Sequence, residues 1–190
     1  MRISRNARNL TQREQQLAMR VFWKTLPPWD RIVVNDGLGL NDCPWTDCPM
    51  GLYSISIGPV AYPDCSSNKL WSPFGRIDGV FVHEMVHVWQ YFHGYNVKLS
   101  SVWAQTVGEG YELDVGKSWS DYNVEQEATI VERWYIAGMR PSDDRFQYVQ
   151  KVIRRGGGAG GDLSLARLKK WDGVTAVPKP APLRAATMTR

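Results

Sequence analysis

Two of the chain's three histidines and one carboxylate, His83, Glu84 and His87, stand together inside FVHEMVHVWQ, residues 81–90, the most apolar run of the sequence. Successive residues of a helix advance by about 100°, so the two imidazoles fall about 40° apart on one face, with Glu84 beside them. That spacing lets two neutral imidazole nitrogens meet one Zn²⁺ at about 2.0 to 2.1 Å, while a glutamate directed past the metal takes a proton from water. From Gly79 to Trp89 these three are the only polar side chains. Burying them unpaired would cost several kcal/mol, and a metal lining a cleft accounts for all three at once.

A zinc site of this kind needs a third protein ligand and keeps its fourth position open. His93 lies ten residues after His83, where the metzincin pattern HExxHxxGxxH has its last histidine, but Gln90 occupies the place of the glycine that turns the chain back. On an unbroken helix His93 lies about 80° from His83, away from Glu84 and about 15 Å along the axis. The other candidates are acidic residues on a later helix, as in gluzincins. Glu125 and Glu127 flank the apolar face set by Val124, Ala128, Val131 and Tyr135, on opposite sides of it, and helical geometry alone does not choose between them.

These residues need elements to position them. The long apolar run predicts a helix beginning near Asp78 as cap and stopped by Gly94. Asn123-Val-Glu-Gln126 reads as the start of the helix that carries the two glutamates, and Thr11-Gln-Arg-Glu14 as another capping box, with Leu17, Ala18, Val21 and Phe22 on one face. A further helix is expected from near Ser142. Ile32 to Val34 reads as a short buried strand, and Tyr53 to Ile57 as a half-buried strand that an extended peptide could pair with. Residues 41–50 read as loop.

With 43% hydrophobic content, 190 residues suffice for one domain with a core. The expected division is a domain over 1–155 and, after the glycine-rich break at Gly156 to Gly161, a linker and tail over 156–190. The glycine run is no P-loop, because no Lys-Ser/Thr follows it. The net charge of +4 is concentrated in N-terminal arginines, without interleaved aromatics or a nucleic-acid module, so no nucleic-acid partner is expected. The N-terminus lacks the apolar core of a signal peptide, and no run is long enough to span a bilayer, so export would need a dedicated machine. Cys43, Cys48 and Cys65 allow at most one internal disulfide, with a Cys43 to Cys48 bridge and free thiols both open.

Three segments together, LTQREQQLAMRVF (residues 10–22), FVHEMVHVWQYFHG (81–94) and SDYNVEQEATIVERWY (120–135), resemble the small HExxH metallopeptidase-like proteins associated with Rhs and Vgr elements of bacterial type VI secretion. More distantly they are similar to metallopeptidase-like domains of contractile injection systems. The resemblance spans roughly residues 9–138 and implies an α+β, gluzincin-type zincin fold, mostly helical with a small sheet and with HExxH on the central helix. It implies Zn²⁺ as cofactor, Glu84 as general base and Glu125 as third ligand beside His83 and His87, although the family's usual EQQA is EQEA here. It also implies an antibacterial effector that cleaves a protein or peptide in the periplasm of a target cell. Its partners would be the secretion apparatus and an immunity protein. By their nearness to the motifs in sequence, His93, Tyr95, Tyr111 and Tyr122 are the candidate oxyanion donors. The competing readings are a catalytically idle zinc-bound interaction module and a cell-wall amidase.

Overall fold

The computed structural model describes residues 6–97 and 114–156. The fold is mostly helical with a small mixed sheet. Its strands are β1 (Ala7–Asn9), β2 (Ile32–Asn35), β3 (Trp45–Asp47) and β4 (Tyr53–Ser56), in the order β1-β2-β4-β3, and a separate hairpin pairs β5 (Leu70–Trp71) with β6 (Gly75–Arg76). The helices are α1 (Gln12–Phe22), the single turn α2 (Gly58–Ala61), α3 (Ile77–Phe92), α4 (Val124–Ile136) and the short α5 (Phe146–Lys151).

β4 runs parallel to β2 and antiparallel to β3, so it lies inside the sheet. The edge strands open to an incoming peptide are therefore β1 and β3, of which β3 lies beside α3, and not the Tyr53 to Ile57 segment. β3 falls within the stretch read as loop: only three residues long and preceded by Pro44, it lacks the alternating run that marks a strand in sequence. It is specified instead by its register, Thr46 opposite Ile55. Proline just before an edge strand removes no ladder hydrogen bond from the sheet. Cys43 and Cys48 lie on either side of β3, and all three thiols are free. Extended backbone, at about 3.3 Å per residue, opposes the close Cα approach a bridge between them needs.

α3 is the centre of the molecule, packed against β3 and β4 on one side and along α4 on the other. Its thirteen buried residues leave no solvent face of ordinary amphipathic width. The helix starts one residue before the expected cap. Asp78 lies inside its first turn, where the carboxylate accepts from the Arg76 guanidinium, the Gly79 amide and the Tyr135 hydroxyl. Gly79 permits the close helix approach, since a Cβ there would stand 2.7 Å from Cδ1 of Ile136 on α4. At its far end α3 runs unbroken through Gln90. It stops where Gly94 takes φ +83°, with the Tyr95 amide donating to the Gln90 carbonyl and the Gly94 amide to the Tyr91 carbonyl. This double bond pattern needs a left-handed residue, which glycine adopts without a Cβ clash.

Both expected capping boxes form. In α1 the Glu14 amide donates to the Thr11 hydroxyl while Glu14 reaches back to the Thr11 amide; in α4, Asn123 and Gln126 make the same exchange. α5 starts at Phe146, later than the expected Ser142. The Asp143 carboxylate accepts from the amide and guanidinium of Arg145, and this local closure competes with helical bonding through residues 142–145. Trp89, Trp134, Phe22 and Phe81 are fully buried in one continuous core. Truncating any one of them to alanine costs about 3 to 5 kcal/mol. No helix among the described residues is long and apolar enough to cross a membrane. The tail expected over 156–190 lies, after Gly156, outside the described residues.

Candidate metal centre and its cleft

α3 and α4 bring His83, His87 and Glu125 together, with one ligand atom from each within 4.8 Å of the others. Nε2 of His83 lies 3.2 Å from Oε2 of Glu125, and Nε2 of His87 lies 3.4 Å from the same oxygen. Glu125 sits in the first turn of α4, where its burial at 3% exposure follows from the packing of that turn on α3.

The opposite ring nitrogens are held from behind. Nδ1 of His83 donates to Oε2 of Glu132 at 3.0 Å. Nδ1 of His87 faces Oε1 of Gln90 at 2.8 Å, and the orientation of that amide is settled by its other end. Nε2 of Gln90 donates to the Val124 carbonyl and to Oε2 of Glu127, both pure acceptors, at 3.0 and 2.8 Å. Oε1 of Gln90 must therefore accept, and His87 carries its first proton on Nδ1. A chain from Glu127 through Gln90 thus fixes the ring and its tautomer, leaving the Nε2 lone pair directed at Glu125.

Neutral imidazoles so arranged put two lone pairs and a carboxylate oxygen face to face. Such a set is favourable only around a cation, either a shared proton or a metal ion. Two imidazole nitrogens and one carboxylate are the donor set of a three-ligand zinc site with a fourth position for water or substrate. The residues fit a divalent metal.

The electrostatics agree. Burial disfavours charge on His83, but its bonds to Glu125 and Glu132 outweigh burial and raise its pKa well above the ordinary value. His87 shifts up against the same burial through the charge of Glu125. Burial opposes ionisation of Glu125 too, yet the two imidazoles hold its carboxyl far below the usual range. Each group favours the charge state that places an anion beside a cation.

Glu84, also buried, stands apart from the three. Its Oε2 accepts from the Thr46 hydroxyl of β3 at 2.6 Å, and burial pushes its pKa up. His83, Glu84, His87 and Glu125 line one cleft of about 360 Å³, with Trp45 and Thr46 of β3 along one wall and Thr129, Glu132 and Arg133 of α4 along the other.

The remaining sequence candidates lie elsewhere. Nε2 of His93 donates to the Thr25 carbonyl at 3.0 Å and its ring packs on Trp89, because α3 does not break at Gln90. Glu127 accepts from Gln90, one step behind the cluster. The Tyr122 hydroxyl donates to the Asp114 carbonyl and meets Tyr148, while Tyr95 accepts from the Trp119 indole. Both tyrosines tie the segment before α4 in place and neither lines the cleft. Tyr111 lies outside the described residues. Thr46, Glu132 and the supporting role of Gln90 carry no local motif in the sequence; for Glu132 the seven-residue spacing from Glu125, two helical turns on one face, was the available signal.

A mostly helical α+β fold with HExxH on its central helix and a glutamate from the next described helix defines a small zincin-like architecture. No known family profile matches the chain, and no solved structure matches it. One stretch is similar to the type VI secretion system spike protein VgrG2b of Pseudomonas aeruginosa, 39% identical over 88 residues, which covers 41% of this chain and 9% of that protein. The chain thus corresponds to a small part of the spike protein's length.

Proposed function

We propose that the chain is a zinc metallopeptidase in which His83, His87 and Glu125 hold the metal and Glu84 is the general base. The observation that carries this reading is the convergence of both Nε2 atoms on one Glu125 oxygen, with both Nδ1 atoms committed behind. Zinc bound there would lower the pKa of water and polarise a scissile carbonyl. The protein's own part is positional. Thr46 holds Oε2 of Glu84, which leaves Oε1 to accept the proton of the attacking water and to return it to the leaving nitrogen. β3, the edge strand beside Glu84, offers unpaired backbone groups to an extended peptide, which would lie across the cleft.

The similarity to a spike protein supports delivery by a type VI apparatus, with action on a protein or peptide in the periplasm of a target cell and an immunity protein in the producer. The same similarity favours a second reading, a zinc-bound module that docks within the particle without catalysis. Glu84→Gln separates the two. The first reading expects proteolysis and toxicity to fall about 10²- to 10⁴-fold with zinc content and fold retained. Toxicity equal to that of the unaltered protein would sink catalysis and leave the docking module.

A further inference from the structure

The cleft contains one charged side chain that the metal cluster and its supports leave unused. α4 turns Glu125, Thr129, Glu132 and Arg133 onto an arc about 100° wide, and all four line the cleft. Glu125 lies between the imidazoles and Glu132 accepts from His83. Arg133 is exposed, and among the described residues its guanidinium has no carboxylate or carbonyl partner. Five other arginines are engaged, Arg8, Arg76 and Arg145 each by a carboxylate and Arg31 and Arg154 by backbone carbonyls, while Arg13, Arg20, Arg140 and Arg155 do not line the cleft. Arg133 is also the only lysine or arginine among the described residues that line the cleft.

We propose that Arg133 selects substrates bearing a carboxylate within a few residues of the bond cleaved, a deepening that rests on the peptidase reading above. Glu84, Glu125 and Glu132 give the cleft three carboxylates, and a divalent cation offsets two of those charges. Away from the metal, Arg133 is therefore the one place in the described cleft wall that attracts an anionic peptide, which makes the selection positional as well as attractive. Arg133 follows Glu125 by eight residues, roughly 12 Å along the helix axis. An extended peptide advances about 3.3 Å per residue, so the selected carboxylate falls within about four residues of the scissile bond. A guanidinium binds a carboxylate through two parallel hydrogen bonds, a geometry that a neutral amide cannot match. Pro44, Trp45, Phe74 and Val80 also line the cleft and offer apolar surface to a neighbouring side chain.

Two sources of carboxylate fit: an acidic side chain and a peptide C-terminus. The test is cleavage-site profiling by mass spectrometry on a proteome-derived peptide library, with free and amidated C-termini, using the zinc-loaded protein and Arg133→Gln. Enrichment of Asp and Glu at one subsite by roughly tenfold, surviving amidation and lost in Arg133→Gln, assigns the side chain. Cleavages confined to the last few residues and abolished by amidation assign the C-terminus. Arg133→Glu should shift the preference towards basic residues at the same subsite. A profile without either feature, or one unchanged in Arg133→Gln, overturns the inference while leaving the peptidase reading intact. Should no peptide be cleaved, the same library is passed over immobilised zinc-loaded protein. Retention of carboxylate-rich peptides that Arg133→Gln loses then upholds Arg133 as the carboxylate-binding group of the cleft although the peptidase reading fails, and retention without such a bias overturns it.

Discussion

Glu14 and Glu125 are both buried carboxylates in the first turn of a helix, and their surroundings are of opposite kinds. Around Glu14 every partner is a donor: the Arg8 guanidinium binds both oxygens at 2.8 Å, the Thr11 amide adds a bond at 2.7 Å and the Cys65 amide one at 2.9 Å. Around Glu125 the nearest polar atoms are the Nε2 atoms of two imidazoles whose Nδ1 atoms are already committed to Glu132 and Gln90. The first cluster is complete by itself and ties β1, α1 and the segment before β5 together. The second is complete only with a cation. Removing a partner from the first should therefore cost folding, and removing one from the second should cost metal.

The largest expected effect tests the second half of that contrast. Glu125→Ala should weaken zinc binding on the order of a thousandfold, read by competition with a chromophoric chelator, because one of three protein ligands is lost. Glu127→Ala should weaken it less. If only the Glu127 variant loses zinc, the roles of the two glutamates are reversed.

Next comes Glu14→Gln, expected to lower unfolding free energy in urea by about 3 to 5 kcal/mol, because it leaves Arg8 partly buried without its anion. Zinc affinity of the folded fraction should stay as it was. Burial opposes the charge of Glu14, but its bonds to Arg8, Thr11 and Cys65 prevail and bring its pKa down from 4.5 to about 2. A depressed carboxylate stabilises the fold above its unfolded pKa and ceases to do so as pH falls through the folded value. Stability should thus fall between pH 4.5 and 2 in the unaltered protein, and the variant should show a shallower fall across that window.

Gln90→Met probes the support behind His87. It removes the acceptor for Nδ1 while keeping the side chain's length, and zinc affinity should drop about 10- to 100-fold. Unchanged affinity would mean that packing alone orients the ring.

Legibility in the sequence followed how local each determinant is. HExxH, the capping boxes at Thr11 and Asn123 and the stop at Gly94 depend on residues within a turn of one another, and all of these were readable. β3 was not, because a three-residue edge strand is defined by its partner β4 rather than by its own pattern. Nor could helical angles separate Glu125 from Glu127. They flank the same apolar face, and only the seat of α4 against α3 puts one between the imidazoles and the other on Gln90. Thr46 reaches Glu84 across 38 residues of chain, a contact no local spacing announces.

The smallest expected effect concerns His93, the residue the sequence pattern made most tempting. Its ring packs on Trp89 and its Nε2 donates to the Thr25 carbonyl, so it fastens the end of α3 to the segment after α1. Burial lowers its pKa despite that bond. His93→Gln should cost about 1 kcal/mol of stability, the value of one partly buried hydrogen bond, and leave zinc affinity within about twofold. A larger loss of zinc would mean that the third histidine reaches the metal after all. That requires α3 to break at Gln90, where the chain from Glu127 to His87 now depends on an unbroken helix.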